Sequence, residues 1–265
     1  MFLYRILSLL ALVATVAIAA PHGHREHHSI AKRGGGKRGV AFNTASVIPQ
    51  FQSAQTSWAY NWGSTPNGAV PGLEYVPQLW GEKMFGTWNA DANAAIAAGS
   101  GHLLGFNEPD HVDQASMTPA AAAAAFKQYL TPFNGRVRLG SPACTNSETP
   151  GMGLDWMRQF FAACAGQCGI DFMTTHWYAG ADQVAYFKDH VSRAIATAKD
   201  NGIHHIWITE FAATGSPGQQ QAFLDAVLPW LDSKPEVARY AYFYAAEGHM
   251  LTGNAVNGVG SRYIN

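Results

Sequence analysis

Two glutamates each close an apolar run with the character of a buried strand. Glu108 ends the run in HLLGFNEPD (His102–Asp110), and Glu210 ends HIWITEF (His205–Phe211). A carboxylate at the end of a buried strand is costly to desolvate, so such positions need a reason. Two of them on separate strands are what cleavage of a glycosidic bond requires: an acid on one side of the bond, a nucleophile or base on the other. Asn107 beside Glu108 supplies an amide able to hold a sugar hydroxyl. The reading makes Glu108 the general acid/base and Glu210 the nucleophile. Burial and the repulsion between them are expected to raise the pKa of the acid.

Other polar and aromatic residues fall at the ends of strand-like runs: Asn43, Tyr60, Asn61, Trp62, Trp80, Asn107, His176, Trp177, Tyr178 and Phe243. All are read as candidate substrate contacts. Trp62, Trp80 and Trp177 are the rings on which sugar C–H faces could stack. Tyr60 and Tyr178 could orient Glu210 or touch substrate. His176 could hydrogen-bond a carboxylate or a sugar hydroxyl, and a satisfied core histidine fits the same position. Asp110 reads as an anchor for the Glu108 loop, and Asp171 as structural. No G-x-S-x-G nucleophile elbow occurs, and no Cys/His spacing supplies a zinc site. No metal or cofactor is expected.

Eight strands must position these residues: Gly39–Asn43, Trp58–Asn61, Tyr75–Trp80, His102–Asn107, Arg138–Ala143, Asp171–Trp177, His205–Thr209 and Arg239–Tyr244. Helices are predicted at Ser116–Leu130 (capped by Thr118, with Pro119 in the first turn), Gly153–Ala165, Asp182–Asp200 and Ser216–Leu231. Alternation of strand and helix favours a (β/α)₈ barrel, whose active sites lie at the carboxyl ends of its strands. An open doubly wound sheet is the alternative, but NTASV after Phe42 is not a glycine-rich phosphate turn. HMLTGNAVNGVGSRYIN, past the eighth strand, lacks helical periodicity. The last outer helix is therefore expected to be missing or replaced by an irregular tail.

The first twenty residues, with Arg5 and then an apolar run to Ala20, read as a secretory signal. Residues 21–38 read as a pro-segment with dibasic pairs Lys32-Arg33 and Lys37-Arg38, leaving 39–265 as one catalytic domain. The pro-segment histidines at 22, 24, 27 and 28 are read as solvated rather than metal-binding. The protein is thus expected outside the cell or in the wall, free of the membrane once the signal is removed. A net charge of −1 with 13% charged residues gives no footprint for nucleic acid. With no sequon, Ser/Thr-rich linker or apolar carboxyl tail, a free monomer is expected. Of the three cysteines, Cys164 and Cys168 are close enough for a local disulfide, and pairing of Cys144 with either stays open.

Seven blocks in order carry a resemblance to a known family: SWAYNWG (57–63), YVPQLWG (75–81), LLGFNEPD (103–110), RLGSPA (138–143), GLDWMRQF (153–160), DFMTTHWY (171–178) and ITEFA (208–212). The chain resembles glycoside hydrolase family 128, a group that includes fungal wall proteins. The resemblance implies a (β/α)₈ barrel and retaining hydrolysis of β-1,3-glucan, with the acid/base at Glu108 and the nucleophile at Glu210. Trp62, Trp80, Trp177 and Tyr178 would line the groove. The eighth strand departs from the pattern, carrying Tyr242-Phe243-Tyr244 where a tryptophan is expected. Internal cleavage of β-1,3-glucan is the leading expectation. A β-1,4-glucanase or mannanase on the same barrel, and a glucan-binding wall protein without turnover, are the rivals.

Overall fold

The computed structural model describes residues 35–265. The expected signal and the pro-segment's first dibasic pair lie outside the described residues. Eight parallel strands form one sheet: β1 (Arg38–Ala41), β2 (Thr56–Tyr60), β3 (Glu74–Tyr75), β4 (His102–Leu103), β5 (Arg138–Cys144), β6 (Phe172–Gly180), β7 (Ile206–Thr214) and β8 (Val237–Tyr242). The order β3-β2-β1-β8-β7-β6-β5-β4 brings β3 and β4 to the two edges. A parallel bridge between Gln78 and Leu104 joins those edges, with Leu104 N–H donating to Pro77 at 2.9 Å and Leu79 N–H to Leu104 at 3.0 Å. The (β/α)₈ barrel expected from the sequence is therefore the fold.

Element boundaries depart from the sequence reading in instructive ways. Tyr75–Trp80 yields only a two-residue strand, since Pro77 has no N–H to give the ladder. Strands β6 and β7 run further than expected, pairing through Gly180 and Thr214 to raise a two-stranded wall above the barrel mouth. Helix α1 (Phe85–Ala97) was not legible: FGTWNADANAAIA has a glycine, two asparagines and no side-chain N-cap. It is held by burial of Trp88, whose indole N–H donates to Tyr129 at 2.9 Å. α2 (Pro119–Tyr129), α3 (Gly153–Cys164), α4 (Val184–Asp200) and α5 (Pro217–Ser233) fall where periodicity placed them. Thr118 caps α2, and Ser216 with Gln219 forms a capping box on α5. After β8 no full outer helix follows. The tail is not irregular, however, but a hairpin of β9 (Leu251–Thr252) and β10 (Ala255–Val256) and a seven-residue helix, α6 (Gly258–Ile264).

Strand alternation divides the core in two. Ala41, Trp58, Tyr60, Val76, Leu104, Phe172, Trp207 and Ala241 fill the barrel, while the outward residues pack under the helices. Gly39 is required for the inner layer, because a β-carbon there would stand 2.2 Å from the Trp58 ring. Below the inner aromatics, Glu74 binds His102 at 2.8 Å and Arg239 at 2.7 Å. The second dibasic pair is built into this fold. Lys37 donates to the carbonyls of Leu231, Asp232 and Lys234, and Arg38 is buried against Tyr240, Tyr263 and Asp232. The expected pro-segment boundary at residue 38 thus falls inside β1. Cys164 and Cys168 are bridged with their α-carbons 5.4 Å apart, and Cys144 is a buried free thiol.

Candidate active site

In the loop that follows β4 the chain turns sharply at Glu108, a non-glycine residue in the left-handed region with φ 39°. Such a conformation costs about 1–3 kcal/mol and persists only where its surroundings over-determine it. Here Glu108 N–H donates to Ala143 at 2.7 Å, and its carbonyl accepts from His111. Asp110 anchors the same loop, accepting from the Thr145 hydroxyl at 2.6 Å and from Gly153 N–H at 2.8 Å.

Glu210 is aimed by a different device. On β7, Thr175 pairs with Ile208 but His176 pairs with Glu210, so Thr209 is an extra residue forming a bulge. Without it, strict alternation from the outward Ile208 would turn Glu210 toward the helices. The Tyr60 hydroxyl donates to the Thr209 carbonyl at 2.8 Å and braces the bulge. Trp62 Nε1–H donates to Glu210 Oε1 at 2.7 Å, and the Tyr178 hydroxyl donates to Oε2. Burial, then the Glu210 charge, raises the Tyr178 phenol far above its ordinary value, which keeps it a donor.

His176 lies beneath and between the two acids, fully buried. Its Nδ1 stands 2.8 Å from Glu108 Oε1, and its Nε2 stands 3.0 Å from Thr209 Oγ1 and 3.5 Å from Glu210 Oε1. Facing atoms of Glu108, His176 and Glu210 fall within 4.8 Å of one another. This is the cluster, among the described residues, on which a cation could be held. Both ring nitrogens face hydrogen-bond partners, so the arrangement reads as a hydrogen-bonded triad. Burial pushes the imidazole pKa down, but the Glu210 charge and the Glu108 hydrogen bond outweigh it and raise the value. For Glu108 burial works upward, yet the His176 hydrogen bond and charge hold it below the ordinary carboxylic value. The raised acid expected from repulsion is therefore not found, because the His176 ring, hydrogen-bonded to Glu108, lies between the two carboxylates.

Above the triad opens a cleft of about 590 Å³ lined by Asn43, Trp62, Trp80, Asn107, Glu108, Gln114, Thr145, Asn146, Tyr178, Glu210, Phe243 and Tyr244. Four candidate contacts are elsewhere, the fully buried His176 among them. Trp177 points outward, because neighbours on a strand face opposite sides, and stacks on Phe223 with centroids 5.4 Å apart. Asn61 folds back into its own loop, bonding Thr65, Gly63 and the Tyr75 hydroxyl. Tyr60 is buried beneath Trp62. Gln114, Thr145 and Asn146 were missed, while Tyr244, the end of the eighth expected strand, lines the cleft beside Phe243. Thr145 and Asn146 directly follow β5, so the strand-end rule could have found them; Gln114 sits in a loop with no such signal.

A parallel barrel with facing carboxylates at its mouth, one in the loop after the fourth strand and one on the seventh, under an aromatic cleft, defines a glycoside hydrolase. The profile of the glycosyl hydrolase catalytic core matches residues 39–263. The chain is 48% identical to a curdlan-specific exo-β-1,3-glucanase of glycoside hydrolase family 128, subgroup III, from Blastomyces gilchristii. That match covers 88% of this chain and 99% of the other, with a TM-score of 0.84. A subgroup I endo-β-1,3-glucanase variant from Amycolatopsis mediterranei, crystallised with laminarihexaose, is 27% identical at a TM-score of 0.71, over 87% of this chain and 99% of that one. Alkali-sensitive linkage protein 1 of Schizosaccharomyces pombe is 34% identical over 230 residues, 80% of this chain; the chain spans only 39% of that relative's length. The chain belongs to glycoside hydrolase family 128.

Proposed function

We propose that this protein hydrolyses β-1,3-glucan with retention, Glu210 attacking the anomeric carbon and Glu108 serving as acid and then base. The observation that carries the reading is the approach of the two carboxylates to within 4.8 Å. Retaining enzymes separate the carboxyl groups by about 5–5.5 Å, whereas inverting ones leave about 6.5–9.5 Å for a water. In the first step the bond from Glu210 to the sugar forms as the glycosidic C–O bond breaks, and Glu108 gives its proton to the departing oxygen. In the second, water attacks the glycosyl ester, Glu108 takes its proton, and Glu210 leaves as carboxylate. Trp62 and Tyr178 hold one Glu210 oxygen each, so the attacking oxygen gives up one donor while the other stays oriented.

The β-1,3 linkage is favoured over β-1,4 by the glucanases to which the chain is similar. The sequence reading expected internal cleavage; 48% identity to an exo-acting, curdlan-specific enzyme favours release from chain ends. The same relatives favour turnover over binding alone. The remaining parts of the reading are action outside the cell or in the wall, and a monomer with β-glucan as its partner. Among the described residues, no helix is long and apolar enough to cross a membrane.

Incubation with curdlan, laminarin, carboxymethylcellulose and mannan, with products sized over time, tests the proposal. The expected result is one small product from the β-1,3 polymers at the outset, released as the β-anomer and abolished in Glu210→Gln. An α-anomeric first product would refute retention, and early products of many sizes would refute end-wise action.

A further inference from the structure

The His176 ring is fully buried, touches no cleft surface, and yet has both nitrogens committed inside the catalytic centre. Two ionised carboxylates this close, with 13% and 6% of their side chains exposed, repel each other in a medium poorer than water at screening charge. A proton on the ring between them relieves that repulsion. Glu108 and Asp110 face the ring from the loop after β4, with His111 beside Glu108, and Thr209 and Glu210 face it from β7. Tyr60 and Tyr178 are phenols kept neutral by burial, as is the Cys144 thiol at the end of β5. From α4 comes His190, reached through Thr175 at 2.9 Å; burial and then Arg193 hold it down at about 4, so it does not compete for a proton. The Thr209 hydroxyl can accept from an N–H or donate to a bare nitrogen, so it satisfies Nε2 in either form.

We propose that His176 holds the catalytic proton in the unliganded enzyme and passes it to Glu108 when a glucan chain fills the cleft. The idea rests on Glu108 being the acid/base. In the free enzyme the ring carries +1 and each carboxylate −1, for a total of −1. Transfer breaks the Nδ1–H bond and forms an O–H bond on Glu108 across the 2.8 Å contact. Ring and Glu108 become neutral, Glu210 stays ionised, and the total remains −1. The driving force is desolvation: a sugar over Glu108 removes its remaining water, and a drier pair favours two neutral partners over two ions. The terminal carboxyl torsion is broad, so rotation presents the new O–H to the glycosidic oxygen. His176 acts through Glu108 and is a positioning residue.

Nitrogen-15 NMR of histidine-labelled wild-type enzyme tests this directly, with His176 assigned by the contact of its ring N–H with the Thr209 methyl. Free enzyme at pH 6 is expected to show both ring nitrogens protonated. Addition of a non-hydrolysable thio-linked β-1,3-glucan trisaccharide is expected to shift one nitrogen to the unprotonated value. A neutral ring in the free enzyme, or a cationic ring in the complex, overturns the proposal. In the folded His176→Asn variant, kcat should fall roughly 10²-fold. The basic limb of its kcat/KM profile should drop by about one pH unit or more, since a lone carboxyl then holds the proton. An unmoved limb also overturns the proposal. An unchanged kcat on curdlan in Glu108→Gln would instead sink the acid/base assignment, a separate outcome from a failed NMR shift.

Discussion

Glu74, at the floor of the barrel, allows a stability prediction by two independent routes. Its carboxylate accepts from Gly101 N–H and His102 through Oε1 and from Arg239 through Oε2, all within 2.8 Å. Burial pushes its pKa up, but hydrogen bonds and charge from His102 and Arg239 win and bring it down to about 2 from 4.5; burial holds His102 itself below its ordinary value, so Arg239 is the partner charged at neutral pH. That difference corresponds to about 3 kcal/mol of folding stability at neutral pH. The second route is removal of one partner from a buried ion pair, which costs about 3–5 kcal/mol because the other charge is left uncompensated. Glu74→Gln strands Arg239 in this way. The sign follows from a depressed carboxyl pKa: the stabilisation is complete above the unfolded value near 4.5, and is lost as pH falls through about 2. Urea unfolding of wild type and Glu74→Gln should therefore differ by about 3 kcal/mol at pH 7 and by about half of that at pH 3. In a domain of this size the melting temperature should drop by about 6–12 °C. A difference below about 1 kcal/mol at pH 7, or one that does not shrink in acid, would refute the reasoning.

Trp62→Phe keeps a ring in the cleft but removes the donor on Glu210 Oε1, a bond to a charged group worth about 1.5–3 kcal/mol; kcat on laminarin should fall roughly 10- to 100-fold while KM changes little. Trp80→Ala should raise KM with the fold unchanged. Trp177→Ala should instead cost about 3–5 kcal/mol of stability in urea titrations, and oligosaccharide affinity measured well below its melting point should persist. Replacing Cys164 and Cys168 by alanine opens a small loop, for which chain entropy gives about 2 kcal/mol. Laminarin turnover at 25 °C should be unchanged, and a loss of activity there would mean that the bridge shapes the cleft.

Glu108 and Glu210 were legible because ionisable groups at the ends of apolar strands are rare for a desolvation reason that needs no coordinates. The barrel was legible from the alternation of strand and helix, and the caps of α2 from Thr118 and Pro119. Such signals are local: each depends on a few neighbouring residues and on the period of the backbone. Residues 176–178 mark where locality ends. HWY offers three plausible sugar contacts, yet the pleat sends Tyr178 to the cleft, His176 beneath it and Trp177 to the helices. Which of the three faces in depends on register with β7, and that register contains a bulge at Thr209 that nothing in ITEFA announces. The proton balance of the site was misjudged for the same reason. Two glutamates far apart in the chain predict repulsion, and only the folded barrel puts an imidazole between them. Residue types and spacing determined which chemistry the chain could perform; the closed sheet decided which atoms meet, because contacts between strands distant in sequence are set by register and packing rather than by any local preference.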